Sequence, residues 1–140
     1  MSIETTAHLN FRGTARAALT FYQSVFGGEI VLVTHSQTYP EFAPEEADHV
    51  AYGQVASADG FRIMGFDVPA ARPYDPGIAP VFVSVRGQTA DEIQAYWNKL
   101  AEGATVLFPL APSAWSPLYG MLADRFGITW ILDVAVAYPA

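Results

Sequence analysis

Five side chains of this sequence have the chemistry of metal ligands or general acid–base groups and stand in or beside apolar segments. They are three histidines and two aspartates, namely His8, His35, His49, Asp67 and Asp133. Imidazole nitrogens and carboxylate oxygens bind divalent metals and move protons, but either task needs several such groups brought together. A lone histidine in a strand is more often hydrogen-bonded than a metal ligand, and we expect this for each of the three.

Asp133 differs from the other four because its neighbours are apolar. The segment from Trp130 to Val136 otherwise reads as an apolar strand, so this carboxylate lies either at a sheet edge or facing a cleft. It is the best single candidate for a polar anchor. His49, in contrast, follows an acidic loop that contains Glu45 and Glu46, where solvated charge pairing is the expected arrangement.

Several catalytic schemes have no support in the sequence. The chain has no cysteine, which excludes a disulfide framework, a thiolate nucleophile and a Cys-type zinc site. Ser84 and Ser113 have no His and Asp around them that would form a nucleophilic triad. Gly27-Gly28 and Gly127 are turn glycines without the spacing of a dinucleotide-binding or phosphate-binding loop.

Composition predicts a globular protein that does not bind nucleic acid or span a membrane. Half of the 140 residues are apolar, and the formal charge of −7 leaves only seven scattered Lys and Arg, whereas nucleic acid requires a clustered basic face. The longest apolar runs, residues 80–85 and 130–136, are too short to cross a bilayer. No signal peptide is recognisable, and we expect a cytoplasmic protein.

The first half of the chain predicts a strand, a helix and a second strand. Residues 3–11 read as a strand, Thr14 can cap the following helix, Gly27-Gly28 ends it, and residues 29–35 are a β-branched strand. Apolar side chains at helical spacing form the buried stripe, namely Ala15, Ala18, Leu19, Tyr22 and Phe26.

The second half repeats this order. Residues 81–86 read as a strand, Thr89 and Glu92 form a capping box, Gly103 ends the helix, and residues 105–110 begin the next strand. The stripe here consists of Ile93, Tyr96, Trp97 and Leu100. Equivalent positions lie 75 residues apart, as in the pairs Thr14 and Thr89, Tyr22 and Trp97, Gly28 and Gly103.

This repetition predicts an internal duplication in one domain of residues 1–140. Module one spans residues 1–68, a proline-rich linker spans 69–80, and module two spans 81–140. Each module alone would leave one face of its sheet bare. We therefore predict an α+β fold in which two βαβββ modules form a curved sheet around a cleft that receives a small molecule.

With this duplication, the chain resembles the vicinal-oxygen-chelate superfamily, which includes glyoxalase I, extradiol dioxygenases and bleomycin-resistance proteins, and most of all its PhnB-like branch. The resemblance covers almost the whole chain. It is carried by Leu9-Asn10-Phe11-x-Gly13, Ala18-Leu19-x-Phe21-Tyr22-x-x-x-Phe26-Gly27-Gly28, Trp97-x-x-Leu100-Ala101-x-Gly103, Trp115, Tyr119-Gly120, Asp124-x-Phe126-Gly127 and Trp130. These are mostly packing and turn residues, so they specify the fold better than the chemistry.

Metal-dependent members of the superfamily hold a divalent ion with side chains from four strands. The resemblance places these positions at Ala7 or His8, within residues 62–67 where Asp67 is the only donor, at Pro80 or Val81, and at Ile131 with Asp133 two residues further on. His8 and Asp67 alone do not make a catalytic metal site. We therefore expect neither a metal at these positions nor another cofactor. The methyltransferase label attached to some PhnB-like proteins would require a glycine-rich turn for S-adenosylmethionine, which the sequence lacks.

Three functions stay open at this stage. The first is a metal-free protein that binds a small molecule, with predicted ligand contacts from His8, Asn10, Asp67, Phe82, Trp115, Tyr119, Ile131 and Asp133. The second is a metal-dependent lyase or dioxygenase with shifted ligands, in which His8, His35 or His49 joins Asp67 and Asp133. The third is a structural or interaction protein. The resemblance further implies a homodimer.

Overall fold

The computed structural model describes residues 2–136 and divides into two compact units between Pro76 and Gly77. In each unit one long helix packs on a four-stranded sheet, so the chain is α+β as predicted. No helix among residues 2–136 is long and apolar enough to cross a membrane.

The first unit forms its sheet from four strands, and the first of them in sequence pairs with the last. Its elements are β1 (His8–Phe11), α1 (Ala15–Phe26), β2 (Glu29–Thr34), α2 (His35–Thr38), a single 3-10 turn (Pro44–Glu46), β3 (Val50–Ala56) and β4 (Arg62–Asp67). The strand order is β1-β4-β3-β2, with β1 parallel to β4 and the other pairs antiparallel. The predicted stripe of α1 is buried, because its side chains lie against the sheet.

The second unit has the same plan. Its elements are β5 (Phe82–Gly87), α3 (Ala90–Leu100), β6 (Thr105–Ala111), β7 (Tyr119–Ala123) and β8 (Thr129–Val134). The strand order β5-β8-β7-β6 repeats that of the first unit, with β5 parallel to β8. The edge strand β6 contains Pro109 and pairs with β7 through two register irregularities.

The turns before β4 and β8 show the duplication in atomic detail. In the first unit Ser57 N–H donates to Phe61 O, and Phe61 N–H donates to Ser57 Oγ. In the second, Asp124 N–H donates to Ile128 O, and Ile128 N–H donates to Asp124 Oδ1. The same pattern with different side chains confirms the predicted duplication.

Two strand boundaries of the first unit differ from the sequence prediction. The strand predicted for residues 3–11 begins only at His8, and the strand predicted to reach His35 ends at Thr34. The second difference has a local cause: Thr34 Oγ1 accepts from Gln37 N–H while Gln37 Oε1 accepts from Thr34 N–H. This capping box starts a helical turn and makes His35 its first residue.

The capping box predicted at the start of α3 is half formed. Thr89 Oγ1 accepts from Glu92 N–H at 3.2 Å, as expected. In a full capping box the Glu92 carboxylate would accept from the N–H of Thr89. Here it accepts instead from the N–H of Gln88, at 3.4 Å. Both side chains therefore accept from backbone N–H groups at the start of α3, and the bond of Glu92 goes to the residue before the expected one.

Candidate functional site

Each sheet has a face covered by its own helix and a second face, which we call the open face. In the first unit, a Cβ added at Gly53 or Gly65 would meet the side chain of Leu19 in α1, so these positions face the helix. Because side chains alternate along a strand, Met64 and Phe66 lie on the open face.

His8 and Asn10 share this open face of the first unit. His8 is paired with Met64 and Asn10 with Phe66 in the β1–β4 ladder. His8 Nδ1 lies 3.2 Å from Asn10 Oδ1, and its ring meets the Phe66 ring edge-on with centroids 5.1 Å apart. Both predicted ligand residues are exposed, and their strand neighbours on this face are apolar.

Asp67 points to the opposite, helix-covered face and is only 1% exposed. Its Oδ1 accepts from Gly13 N–H at 2.7 Å and Ala15 N–H at 3.0 Å, and its Oδ2 accepts from Val50 N–H at 2.9 Å. The carboxylate thus caps α1, where the helix dipole favours negative charge. Thr14, which was predicted to cap this helix, stands at the N-cap but makes no side-chain cap. We therefore leave Asp67 out of the proposed site.

His35 contacts Asp67, and His49 lies next to His35. Buried His35 donates from Nε2 to the backbone carbonyl of Asp67 at 2.9 Å, and its ring centroid is 5.8 Å from that of His49. His49 Nδ1 lies 3.7 Å from Glu46 Oε2. Glu46 is thus the acidic side chain next to His49, but it is buried and accepts from Ala70 N–H, so the expectation of a solvated pair is wrong.

Four of the predicted ligand residues share the open face of the second unit. A Cβ added at Gly87 would meet Ile93 of α3, and one at Gly120 would meet Trp97, so these glycines face the helix. Strand alternation and pairing place the neighbouring side chains on the other side. That set comprises Phe82, Ser84, Arg86, Tyr119, Met121, Ile131 and Asp133.

At one end of this face lies an ion pair of which the sequence predicted one member. Arg86 Nε donates to Asp133 Oδ1 at 3.1 Å. The Asp133 side chain is 9% exposed and that of Arg86 is 41% exposed. Asp133 was predicted as a polar anchor, whereas Arg86 was missed. The available signal was that Arg86 is the only charged residue of β5.

Aromatic side chains lie on this face and next to it. Tyr119 is the ladder partner of Asp133, and its ring meets that of Trp115 edge-on, with centroids 5.2 Å apart and planes at 76°. Trp115 is 54% exposed and Phe82 is 46% exposed. The loop before β7 is non-helical, as predicted, and Ser116 Oγ fixes it by donating to the carbonyl of Val134 in β8.

The donor sets do not fit the divalent metal of the superfamily. On the open face of the first unit, β1 contributes His8 and Asn10, but β4 contributes Met64 and Phe66. In the second unit, the carboxylate of Asp133 is engaged by Arg86. Among residues 2–136 no three His, Asp or Glu side chains are grouped so that they could hold a metal ion.

Comparison with solved structures assigns the class of this fold. A glyoxylase/bleomycin resistance protein/dioxygenase domain from Frankia sp. superposes with a TM-score of 0.67 over 97% of this chain and 99% of its own, at 11% identity. The protein therefore has the glyoxalase/bleomycin-resistance fold, as predicted.

The family follows from closer relatives. Protein PA1353 from Pseudomonas aeruginosa is 30% identical, with 95% of this chain and 98% of that one covered and a TM-score of 0.85. A putative 3-demethylubiquinone-9 3-methyltransferase, PhnB protein, from Bacillus cereus is 29% identical over 95% of this chain and all of its own, with a TM-score of 0.71. Residues 3–132 match the family model described as 3-demethylubiquinone-9 3-methyltransferase. The chain belongs to this PhnB-like family.

The strand-to-helix turns do not fit S-adenosylmethionine, the methyl donor that the family description implies. Such a cofactor binds at a glycine-rich turn that leaves backbone N–H groups available at a helix N-terminus. Here the Asp67 carboxylate accepts from Gly13 and Ala15 at the start of α1. At the start of α3, Thr89 and Glu92 accept from the local N–H groups.

Proposed function

We propose that this PhnB-like protein binds a small molecule on the open face of the second unit, without a metal at the superfamily's usual positions. The observation that carries the proposal is a nearly buried carboxylate, Asp133, held by Arg86 among exposed aromatic side chains. Binding sites for small molecules typically combine an apolar, aromatic lining with a few fixed polar groups.

The aromatic residues supply contact area at low entropic cost. Phe82 and Trp115 each expose about half of their surface. Aromatic side chains of this size contribute most to binding energy when a partner covers them. Trp115 is further oriented by Tyr119 and by the hydrogen-bonded loop that carries it. A ligand ring covering these side chains would gain apolar burial without ordering a mobile segment.

His8 and Asn10 belong to the proposal in a lesser role. They present a polar pair on the open face of the first unit, with Phe66 against the imidazole. We propose them as ligand contacts because they are exposed and preformed. The arrangement of the two modules as a curved sheet around a shared cleft stays a prediction.

Replacing Trp115 with alanine tests the proposal. Naphthalene-2-carboxamide, an uncharged aromatic probe, should raise the thermal midpoint of the wild-type protein, since a ligand that binds only the folded state stabilises it. Trp115→Ala should weaken its binding by about 5- to 10-fold, in line with roughly 1 kcal/mol for one aromatic contact. Isothermal titration calorimetry measures the affinity.

Phe42→Ala is the matched control, because Phe42 is an exposed aromatic side chain of the first unit. This variant should bind the probe like the wild type. Equal affinity of Trp115→Ala and the wild type would remove the proposed site. Stoichiometric zinc, nickel, manganese or iron in protein purified without chelator would instead favour the metal-dependent enzyme with shifted ligands.

We also propose that the chain is a cytoplasmic homodimer. The edge strand β6 supports self-association, because it presents Val106, Leu107 and Phe108, each about half exposed. Adjacent exposed apolar side chains are typical of protein contact sites. Light scattering should give twice the chain mass at micromolar concentration, and a monomer mass would reject the homodimer.

A further inference from the structure

We propose that the open face of the first unit receives an uncharged aromatic molecule through a hydrogen-bond donor, an O–H or N–H group that binds His8 Nε2. The inference rests on the proposed function, in which His8 and Asn10 are ligand contacts, and adds the chemical class of the ligand group that they receive. Its basis is the orientation of the His8 ring, the support of Asn10, and the charge and lining of the face.

Asn10 determines which nitrogen of the His8 ring can accept a hydrogen bond. His8 Nδ1 lies 3.2 Å from Asn10 Oδ1. An amide oxygen has no proton to give, so Nδ1 must carry the hydrogen of this bond. In a neutral imidazole the other nitrogen, Nε2, then has a lone pair and no hydrogen. Nε2 has no hydrogen-bond partner among residues 2–136, so His8 presents an unoccupied acceptor.

Contacts with neighbouring aromatic side chains hold this pair in place. The His8 ring meets the Phe66 ring edge-on, with centroids 5.1 Å apart and planes at 68°. Asn10 is fixed at its backbone, because its carbonyl accepts from Tyr74 Oη at 2.8 Å. The Arg12 guanidinium lies 5.3 Å from the centre of the Tyr74 ring and orients that ring in turn. A preformed acceptor of this kind loses little entropy when a ligand donates to it.

The strands next to the acceptor carry no charge that would compensate a charged ligand. Neither β1 nor β3 contains Asp, Glu, Lys or Arg. On β4, Asp67 points to the helix, and Arg62 pairs with Glu4, with Nη1 and Oε2 2.8 Å apart. The overall charge of −7 further disfavours an anion. The ligand group that complements a neutral acceptor here is an uncharged O–H or N–H donor.

The side chains beside the acceptor are suited to a ring. Met64 and Phe66 lie on the open side of β4, and Gln54 is the ladder partner of Met64. Tyr52, two residues before Gln54, is on the same side and 42% exposed. Thioether and aromatic side chains make favourable contacts with an aromatic ligand. The acceptor and this lining together favour an aromatic ring that carries the donor.

Three naphthalene probes that differ in one substituent test the inference. 2-Naphthol has an O–H donor, 2-methoxynaphthalene has the same ring and oxygen without the donor, and naphthalene-2-carboxylate is an anion. Calorimetric titration of the wild-type protein at pH 8 should give an affinity for 2-naphthol about 3- to 10-fold higher than for 2-methoxynaphthalene, the range expected for one hydrogen bond. The carboxylate should bind more weakly than 2-naphthol.

Two substitutions in the pair should lower the preference for 2-naphthol over 2-methoxynaphthalene. His8→Phe should remove it, because phenylalanine keeps a ring against Phe66 and has no acceptor. Asn10→Ala should reduce it, since the imidazole proton can then move to Nε2. Asn98→Ala is the matched control, because Asn98 Oδ1 also accepts from a neighbouring side chain, at 2.9 Å, but on α3 of the second unit. This variant should keep the wild-type preference.

The ¹⁵N NMR spectrum of the histidine rings tests the orientation of His8 directly. It distinguishes a ring nitrogen that carries a proton from one with a lone pair, and the signals of His8 are those missing in His8→Phe. At pH 8 the wild type should have the proton of His8 on Nδ1, and 2-naphthol should shift the Nε2 signal. In Asn10→Ala the proton should be shared between both nitrogens. A wild-type proton on Nε2 would overturn the inference even if 2-naphthol binds.

The outcomes separate this inference from the proposed function. Failure of every naphthalene probe to bind, the carboxamide included, would overturn both. Carboxamide binding that depends on Trp115, together with equal affinities for 2-naphthol and 2-methoxynaphthalene, would keep the site of the second unit and overturn the inference. The same preference for 2-naphthol in His8→Phe and the wild type, or tightest binding of the carboxylate, would overturn the inference as well.

Discussion

Asp67→Ala is expected to lower the free energy of unfolding of the first unit by about 3–5 kcal/mol. The carboxylate accepts from the N–H groups of Gly13, Ala15 and Val50 and is almost fully buried. Alanine leaves these donors without an acceptor in a site that water does not reach. Urea denaturation monitored by circular dichroism gives the free energy.

Asp67→Asn and Asp59→Ala complete this experiment. Asparagine keeps the volume and one acceptor, but its amide would bring N–H donors toward the N–H of Val50, so a loss of about 2 kcal/mol is expected. Asp59 is an exposed turn residue, and its replacement should change stability by less than about 0.5 kcal/mol. A loss at Asp67 no larger than that at Asp59 would contradict the capping role.

Gly28→Ala is expected to destabilise the first unit by about 2–5 kcal/mol or to prevent its folding. Gly28 has φ +91°, and an added Cβ would lie 2.2 Å from the carbonyl oxygen of Ala56 and 2.7 Å from Ser57 Cα. The left-handed conformation costs a non-glycine residue about 1–2 kcal/mol, and forcing an atom into packed backbone costs about 1–3 more. Both contacts are backbone, so no side-chain rotation relieves them.

Gly27→Ala is the matched control for this steric argument. Gly27 also has a positive φ of +77°, but an added Cβ would meet nothing within 4 Å. With ψ at −168° it lies in a region that is essentially restricted to glycine, so its replacement should cost only the conformational part, about 1–3 kcal/mol. The difference between the two variants in urea denaturation measures the close approach of β2 to the end of β3. Equal losses would show that no such contact exists in solution.

The periodicity of apolar residues in the sequence was sufficient to predict most of the fold. The spacing of Ala18, Leu19 and Tyr22 identified the buried side of α1, and the repetition of the same signals 75 residues later identified the second unit. Strand ends were less predictable because they depend on hydrogen bonds made by particular side chains. The capping box between Thr34 and Gln37 is such a case, since it ends β2 one residue early.

The candidate site was predictable where a strand had a clear alternation. Phe82, Ile131 and Asp133 were predicted as ligand contacts, and the structure places them on one face. Asp67 illustrates the limit: it was also predicted as a ligand contact, but register and alternation place it against α1. The face that a side chain occupies is determined by pairing with distant strands, which one sequence does not display.

Arg86 was missed for a related reason. A single arginine in an apolar strand gives no sign of its partner, and Asp133 is 47 residues further along the chain. Only the parallel pairing of β5 with β8 brings the two residues opposite each other. The sequence therefore identified the carboxylate as unusual without identifying the cation that neutralises it.

The edge strand β6 has a consequence for aggregation. An exposed sheet edge normally offers a regular row of N–H and C=O groups on which another strand can add. In β6 that row is interrupted, because Pro109 has no N–H and the register is irregular on both sides of Phe108. This edge should therefore resist growth into continuous fibrillar sheets, and the contact of the proposed homodimer would be made by side chains.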